Sequence, residues 1–331
     1  MITRRTFNQL ALSGLALPFM PSAFGHSQPA LDRAVRSLTR LHSIQVQLGD
    51  QVIYAQAPRG SGLDSFAYIK SCSKSLVALL LGSCIARDEI ASVDRRLVQV
   101  APKLIPADAT EGVDKITLQD LVTLQAGLEG TSGPRYGAWV NSPNWIANAL
   151  TRPQVAEPGQ RMVYSTGTSH ILGAVLTEAS GQSLLQLARE RLGNPLGFQI
   201  PPWVRDPQGY YLGGNGMALT PRAMLAIARL LRDKGQFEGQ QVIPEDWIHA
   251  SMIPRTQSPY SGLDYGYGWF ISASGYVMAR GYGGQIIAAH PEHKLAVAIT
   301  SDPNTPAHSK GYFADLMELL DGPVLELVKA V

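Results

Sequence analysis

Hydrophobic and polar positions follow different periods along this chain, and the changes of period divide it into regions. Near the start, apolar residues recur at helical spacing over 30–41. Two stretches of strand-like composition follow, 43–48 and 51–57, joined at Gly49-Asp50 in a pattern typical of a β-hairpin. Four more short strands, separated by Gly or Pro, are predicted in the last third at 265–272, 276–279, 285–289 and 295–300.

The middle of the chain shows the spacing of amphipathic helices instead. Thr117 and Asp120 form a capping-box pattern, and Thr220-Pro221 is typical of a helix start. Strands at both ends with helices between them predict an α+β fold: an antiparallel sheet flanked by terminal helices, with a mostly helical inserted region. The predicted helices are 73–86, 117–125, 167–180, 183–192, 220–234 and 312–328, the last with a break at Gly322-Pro323.

Residues 1–25 have the pattern of an export signal. Arg4-Arg5 precede an apolar stretch from Leu10 to Phe19, and small residues follow before His26. This order resembles a twin-arginine signal, with an ordinary secretory signal or an uncleaved anchor as alternatives. We therefore expect an exported, periplasmic protein. Its mature part, 26–331, is predicted to contain a sheet region at about 30–105 and 226–331 and a helical region at about 106–225.

Composition excludes several classes of function. The chain has 331 residues with 28 Lys+Arg and 26 Asp+Glu; without Arg4 and Arg5, 26 of each sign remain and the mature part has no formal net charge. No Lys/Arg-rich run suggests a nucleic-acid partner, and no later stretch is long and apolar enough to span a membrane. The histidines lack the spacing of metal ligands, so we expect neither a metal nor another cofactor.

Ser71 and Lys74 form the first candidate for chemistry. Two residues three apart on a helix share a face, and a serine hydroxyl needs a base to become a nucleophile. Lys74 can be that base if burial lowers its pKa, and its apolar neighbours make burial plausible. The alternative is a solvated helix face, because an S-x-x-K pattern also arises by chance.

The wider sequence around these residues resembles a known superfamily. "FAYIKSCSKSLVALLLGSCIA" is similar to the first motif of the serine β-lactamases and penicillin-binding proteins. "ITLQDLVTLQAGLEG", "EPGQRMVYSTGTSHILGAVLTEASGQSL" and "GGNGMALTPRAMLAIARLLRDKG" resemble later segments in the same order. The similarity is greatest to the class C branch, which includes D-alanyl-D-alanine carboxypeptidases, family VIII esterases and 6-aminohexanoate-dimer hydrolases.

The resemblance implies roles for residues of two further motifs. Tyr164 of Tyr164-Ser165-Thr166 takes the place of the family's proton-handling tyrosine, and Thr166 replaces an asparagine that contacts the lysine and the substrate. An ordinary loop tyrosine is the alternative. The third motif is matched to Tyr282, Gly283 and Gly284, which are expected to bind substrate beside the oxyanion hole formed by the N–H groups of Ser71 and Gln285.

Two departures from the family affect the expected substrate. Tyr282 supplies no positive charge and Gly283 supplies no hydroxyl, and in β-lactamases those two groups hold the carboxylate of the substrate. Arg280 could replace them, although a surface salt bridge is the favoured interpretation. Tyr136 lies where the family often places a substrate-covering loop, with core packing as the alternative.

The predicted function is therefore hydrolysis of an ester or amide through an acyl-enzyme on Ser71. An esterase, amidase or D-amino-acid peptidase is expected rather than an efficient β-lactamase, with a small ester, amide or peptide as partner. The alternative is a non-catalytic penicillin-binding or peptidoglycan-sensing protein. The sequence leaves the oligomeric state open.

Overall fold

A computed structural model describes the backbone of residues 24–329 and the side chains of residues 28–329. The export signal predicted at 1–25 therefore lies almost entirely outside the described residues. The strands are β1 Leu41–Leu48, β2 Gln51–Gln56, β3 Ala67–Tyr68, β4 Ala218–Leu219, β5 Gln236–Phe237, β6 Gln240–Gln241, β7 Thr256–Gln257, β8 Asp264–Tyr265, β9 Phe270–Ile271, β10 Val277–Gly281, β11 Gln285–His290 and β12 Leu295–Ser301.

Most of the helices are short. Four longer helices pack against the sheet or lie at the centre of the helical region. The α-helices are α1 Phe24–Ser37, α2 Ser73–Ala86, α3 Leu97–Val100, α4 Leu118–Val122, α5 Tyr136–Val140, α6 Trp145–Leu150, α7 Thr166–Ser180, α8 Leu184–Ala188, α9 Pro221–Arg232, α10 Glu245–Ser251, α11 Tyr312–Leu319 and α12 Leu325–Lys329. Short 3-10 turns occur at Lys70–Cys72, Pro102–Leu104, Val113–Lys115 and Gly133–Arg135, and π-helical turns at Arg189–Gly193 and Leu320–Val324.

One eight-stranded sheet organises the molecule, in the order β2-β1-β12-β11-β10-β9-β8-β7. Every neighbouring pair is antiparallel. β1 therefore lies between its hairpin partner β2 and the last strand β12, so the two ends of the chain build one sheet. This architecture confirms the predicted α+β fold.

Both faces of the sheet are buried. Along β11, Ile286 and Ala288 pack in one hydrophobic cluster with α1, α11 and α12, whereas Ile287 and Ala289 pack in the other with α2, α7 and α9. Because successive side chains of a strand point to opposite faces, a strand covered on both sides is apolar at nearly every position. Within residues 24–329, no helix is both long and apolar enough to cross a membrane.

The structure corrects two predicted elements. The strand predicted over 265–272 is interrupted into β8 and β9, because Gly268 adopts a left-handed φ of 80°. The terminal helix stays helical through Gly322-Pro323, where a π-helical turn accommodates the proline. The bounds of the predicted sheet and helical regions stay a prediction, since α2, α4, α7 and α9 share one hydrophobic cluster.

Candidate active site

Ser71 lies in the 3-10 turn between β3 and α2. The preceding residue, Lys70, has a φ of 52°, a left-handed conformation that is uncommon for a residue with a side chain. The turn buries Cys72 in the hydrophobic core, with its Sγ 3.6 Å from the carbonyl oxygen of Gln285. Ser71 itself is half-buried and borders a cavity. The side chain of Cys72 is thus directed into the core, whereas Ser71, the candidate nucleophile, borders the cavity.

Lys74 lies one turn later on α2 and is buried. Its Nζ is 3.1 Å from Oγ of Ser71, 2.7 Å from the carbonyl oxygen of Gly214 and 3.4 Å from Oγ1 of Thr166. Burial lowers the pKa of Lys74 from its ordinary value of 10.5 to about 7. A substantial fraction of Lys74 is therefore neutral near neutral pH, which is the form that can accept a proton.

Tyr164 lies just before α7 and borders the same cavity as Ser71. Burial raises the pKa of its phenol, while the Ser71 side chain and the Arg280 charge lower it in part. The Nζ of Lys74 lies 5.0 Å from the centroid of the Tyr164 ring. Because its pKa is raised, Tyr164 is a neutral proton donor near neutral pH, and Lys74 is the better base.

Thr166 and Ser132 form a hydroxyl pair beside Lys74. Their Oγ1 and Oγ atoms are 2.9 Å apart, and Oγ of Ser132 also accepts the backbone N–H of Thr166 at 2.9 Å. Thr166 therefore contacts the lysine, as the resemblance implies for this position. Ser132 was missed by sequence reasoning, because its contact depends on a loop packing against the start of α7.

A buried histidine–aspartate pair supports the carbonyl that binds Lys74. Nε2 of His170 is 3.0 Å from Oδ2 of Asp206, and Nδ1 accepts the backbone N–H of Gly213 at 3.3 Å. Both side chains of the pair are completely buried. Gly213 precedes Gly214, so the pair holds the segment that carries the acceptor of Lys74. From the sequence, only the Gly-rich run 213–216 hinted at this arrangement, and the resemblance gave that run no role in the site.

The glycine-rich end of β10 approaches the nucleophile closely. A Cβ on Gly281 would collide with the carbonyl oxygen of Ile69, two residues before Ser71. Tyr282 follows Gly281 and borders the cavity of Ser71. Within the described chain, the backbone N–H groups of Ser71 and Tyr282 have no backbone acceptor.

The structure does not bring three predicted residues of this segment to the cavity of Ser71. Gln285 starts β11, bonds to the backbone of Ser301 through its side-chain amide, and lines a different cavity. Gly283 and Gly284 pack against the backbone of Asp302 and the ring of Tyr312, respectively. The end of β10, with Tyr282, therefore borders the cavity of Ser71, whereas Gln285 at the start of β11 lines a different cavity. The oxyanion role of Gln285 stays a prediction.

Arg280 is also at the cavity rather than in a surface salt bridge. Its Cζ lies 3.0 Å from the ring centroid of Phe313 and 5.2 Å from that of Phe270. Within residues 28–329, no ion pair includes Arg280. The cavity has a volume of about 230 Å³ and is lined by Ser71, Tyr164, Ser258, Tyr260, Ser261, Phe270, Arg280, Gly281, Tyr282, Ala307, Ser309 and Phe313.

Tyr136 lies in an aromatic cluster and is not among the residues that line this cavity. Its ring centroid is 5.8 Å from that of Trp139, and its hydroxyl accepts the side-chain amide of Asn215 at 3.3 Å. Tyr136 thus packs against other aromatic residues, which is the alternative that we considered from the sequence. Among the described residues, no group of His, Cys, Asp and Glu side chains is arranged to hold a metal ion.

Comparison with protein families places this arrangement in a known class. A family model described as Beta-lactamase matches residues 43–320. The chain therefore belongs to the beta-lactamase family, within the superfamily of serine β-lactamases and penicillin-binding proteins.

Individual relatives are distant. Protein Rv1367c of Mycobacterium tuberculosis is 25% identical over 191 residues, which are 45% of this chain and 47% of that protein. The matched part thus spans about half the length of this curated relative.

Solved structures share the fold at low identity. A proposed 6-aminohexanoate-dimer hydrolase from Bacillus anthracis superposes with a TM-score of 0.72 at 18% identity, covering 91% of this chain and 81% of that one. EstCE1, described as a hydrolase with promiscuous acyltransferase activity, gives 0.74 at 17%, covering 91% and 99%. A penicillin-binding protein homologue from Caulobacter crescentus gives 0.72 at 16%, covering 94% and 97%.

Proposed function

We propose that this protein is a serine hydrolase that cleaves ester or amide bonds through an acyl-enzyme on Ser71. The observation that carries the proposal is the position of Lys74, buried with its Nζ 3.1 Å from Oγ of Ser71 and with a pKa lowered to about 7. A base with a pKa near the working pH is best suited to take the proton of a nucleophile.

The first half of the proposed reaction forms the acyl-enzyme. Neutral Lys74 accepts the proton of Ser71 as Oγ bonds to the substrate's carbonyl carbon, and the carbonyl electron pair moves onto oxygen. The unpaired N–H groups of Ser71 and Tyr282 can hold that oxyanion. Such a donor contributes about 3 kcal/mol to transition-state stabilisation.

Loss of the leaving group from this tetrahedral intermediate completes the acyl-enzyme, and hydrolysis then restores the enzyme. When the carbonyl re-forms, the bond to the leaving alkoxide or amine breaks, and the phenol of Tyr164 supplies the proton that the leaving group needs. The ammonium of Lys74 returns that proton to Tyr164, directly or through water. Water then attacks the acyl-enzyme by the reverse proton path, releasing the acid and the hydroxyl of Ser71.

The substrate is proposed to be a small ester, linear amide or D-amino-acid peptide rather than a β-lactam. In the third motif as matched from the sequence, Tyr282 supplies no positive charge and Gly283 supplies no hydroxyl, unlike the corresponding residues of β-lactamases. Two structural relatives are described as a proposed 6-aminohexanoate-dimer hydrolase and as a hydrolase with promiscuous acyltransferase activity. Both descriptions favour an ester or amide substrate over a β-lactam. Export to the periplasm, from the signal pattern at 1–25, is part of this proposal.

The test is turnover of p-nitrophenyl butyrate by the Ser71→Ala variant, with intact-mass measurement of the wild-type protein during the reaction. We expect the variant to lose activity by at least 10³-fold, and the wild type to show a transient mass increase of one butyryl group. Ser83→Ala is the matched control, because Ser83 is a buried serine of the following helix α2 and does not line the cavity.

Unchanged turnover by Ser71→Ala would refute the proposal. A butyryl adduct that forms on Ser71 and persists would instead favour the non-catalytic binding protein.

A further inference from the structure

The carbonyl of Gly214 determines how Lys74 presents its amine to Ser71. A carbonyl oxygen only accepts hydrogen bonds, so the 2.7 Å contact takes one N–H of the amine in either protonation state. The hydroxyl of Thr166, 3.4 Å away, can accept a second N–H. In neutral Lys74 the remaining lone pair is then directed at the hydroxyl of Ser71, 3.1 Å from Nζ. The position of this carbonyl therefore matters for proton transfer from the nucleophile.

The segment that carries this carbonyl is held by the imidazole of His170. The buried N–H of Gly213 has no backbone acceptor among residues 28–329 and bonds to Nδ1 of His170 at 3.3 Å. Because Nδ1 accepts a hydrogen bond, the imidazole is neutral and carries its proton on Nε2. That nitrogen donates to Oδ2 of Asp206 at 3.0 Å. One imidazole thus bonds to both ends of the segment 206–213.

The partners of the imidazole fix its orientation. Oδ1 of Asp206 accepts two backbone N–H groups of its own loop at 2.9 and 2.8 Å, so the carboxylate cannot rotate without losing them. The rings of Trp139 and Trp145 lie edge-on to the ring of His170, with centroids 5.8 and 5.5 Å away. The imidazole is therefore confined to an orientation in which both of its nitrogens have a partner.

The same segment packs against α7 with no room for a side chain. A Cβ on Gly213 or Gly214 would collide with carbonyl oxygens of that helix. Thr166 and His170 are four residues apart on α7, so they share a face. This face contacts Lys74 directly through Thr166 and indirectly through His170.

We propose that His170 and Asp206 are positioning residues for the reaction at Ser71. With its Nε2–H held by the carboxylate, the imidazole fixes the carbonyl of Gly214, and that carbonyl directs the lone pair of Lys74 at the nucleophile. The inference rests on the proposed function in taking Lys74 as the base of Ser71. Neither residue of the pair lines the cavity of Ser71, so their effect passes through the segment that they hold.

The two nitrogens of the imidazole can be tested separately. In His170→Asn the amide oxygen takes the place of Nδ1 and can accept the N–H of Gly213. In His170→Gln the amide nitrogen takes the place of Nε2 and can donate to Asp206. We expect His170→Gln to lower kcat/KM for p-nitrophenyl butyrate by about 10- to 100-fold, and His170→Asn to lower it by about 3-fold at most.

Stability should follow the opposite order. His170→Asn leaves a buried carboxylate oxygen without its donor, which costs more than the neutral N–H left unpaired in His170→Gln. The urea midpoint should therefore be lower for His170→Asn than for His170→Gln. An activity order that follows the stability order would overturn the proposal, because the pair would then only stabilise the fold.

A third variant moves the imidazole proton at almost constant volume. In Asp206→Asn an amide N–H facing Nε2 makes that nitrogen an acceptor and moves the proton to Nδ1, where it opposes the N–H of Gly213. We expect kcat/KM to fall by about 10- to 100-fold. This variant decides the question if a substitution of His170 prevents folding, since full activity of folded Asp206→Asn protein would overturn the proposal.

The matched control is a buried histidine elsewhere in the sheet. Nε2 of His290 bonds to the carbonyl of Ser274 at 2.8 Å, and His290 does not line the cavity of Ser71. His290→Gln should lower the urea midpoint and keep the wild-type kcat/KM. A loss of activity equal to that of His170→Gln would also overturn the proposal.

A titration of Lys74 itself keeps the test independent of turnover. NMR of the lysine Nζ signals in Ser71→Ala protein gives its midpoint, with the Lys74 signal identified by its loss in Lys74→Met. Adding His170→Gln should move that midpoint, because the ammonium loses a fixed acceptor, whereas adding His170→Asn should not. If the wild type turns over no ester but this difference is found, the proposed function is wrong and the positioning of Lys74 stands. If esters are turned over and neither kcat/KM nor the midpoint distinguishes the two variants, only the positioning role is wrong.

Discussion

The basic side chains on the two sides of Ser71 differ in how many hydrogen-bond partners they have within the protein. On one side, Lys74 has protein partners in Ser71, Thr166 and Gly214. On the other, Arg280 has aromatic walls and one long hydrogen bond. The lysine side belongs to the closed core beside α2 and α7, and the arginine side to an open cavity at the end of β10. This difference is consistent with the proposal that the lysine side is where the protein handles protons.

The largest effect is expected from removing the buried amine. Lys74→Met should lower kcat/KM for p-nitrophenyl butyrate by about 10³-fold, because no other group near Ser71 is neutral and basic near pH 7. The wild-type rate should rise with pH to a plateau, with a midpoint near the lysine pKa of about 7. Lys115→Met, at an exposed lysine, is the control and should retain both the rate and the profile.

The Lys74→Met variant is expected to gain stability although it loses activity. Because Lys74 has a pKa of about 7 when folded and 10.5 ordinarily, the unfolded chain binds more protons between these pH values. Wild-type stability contributed by this group therefore rises with pH across that window. The free energy of unfolding of Lys74→Met relative to wild type should be highest below pH 7 and decrease towards pH 10.5. Urea denaturation at pH 6 and pH 9 measures it, and a pH-independent difference would contradict the burial argument.

A smaller effect is expected from the pair that supports the lysine side. Asp206→Ala should lower the free energy of unfolding by about 3 kcal/mol, because it leaves the buried ring nitrogen of His170 and the part-buried backbone N–H groups of Gln208 and Tyr210 without their partner. Asp64→Ala, which removes an exposed ion pair with Arg222, should cost less than about 1 kcal/mol. Equal costs in urea denaturation would show that the buried network is not what stabilises the segment at Gly214.

The smallest of the four effects concerns the end of β10. Gly281→Ala should lower kcat/KM by about 10-fold, because its Cβ would displace the carbonyl of Ile69 and with it the turn that carries Ser71. Gly137→Ala is the control, since a Cβ there has no heavy atom within 4 Å and Gly137 lies in α5. Full activity of the Gly281→Ala variant on ester substrates would argue against the close approach of β10 to the nucleophile.

The elements with local signals were predictable from the sequence. The helix predicted at 73–86 is α2, and the capping box of Thr117 and Asp120 is present at the start of α4. These features depend on neighbouring residues. The interruption at Gly268 was not predicted, because apolar residues on both sides of it resemble one continuous strand.

The site was predictable only in part for the same reason. The resemblance identified Ser71, Lys74 and Tyr164, and the structure brings them together. It did not identify the register of the third motif, where the end of β10 and not Gln285 borders the cavity. The surroundings of Arg280 come from β9 and from the segment after β12, so no local pattern could show that this arginine lacks an acidic partner.

The pairing of β1 with β12 has a consequence for biosynthesis. Leu48 lies opposite Leu295 and Leu41 opposite Ser301, so β1 cannot pair with β12 until residues 295–301 have left the ribosome. During that interval β1 and β2 can form only a hairpin, which is marginally stable alone and exposes an apolar edge. Nascent chains stalled before residue 295 should therefore depend on chaperones and aggregate without them, whereas chains released after β12 should not.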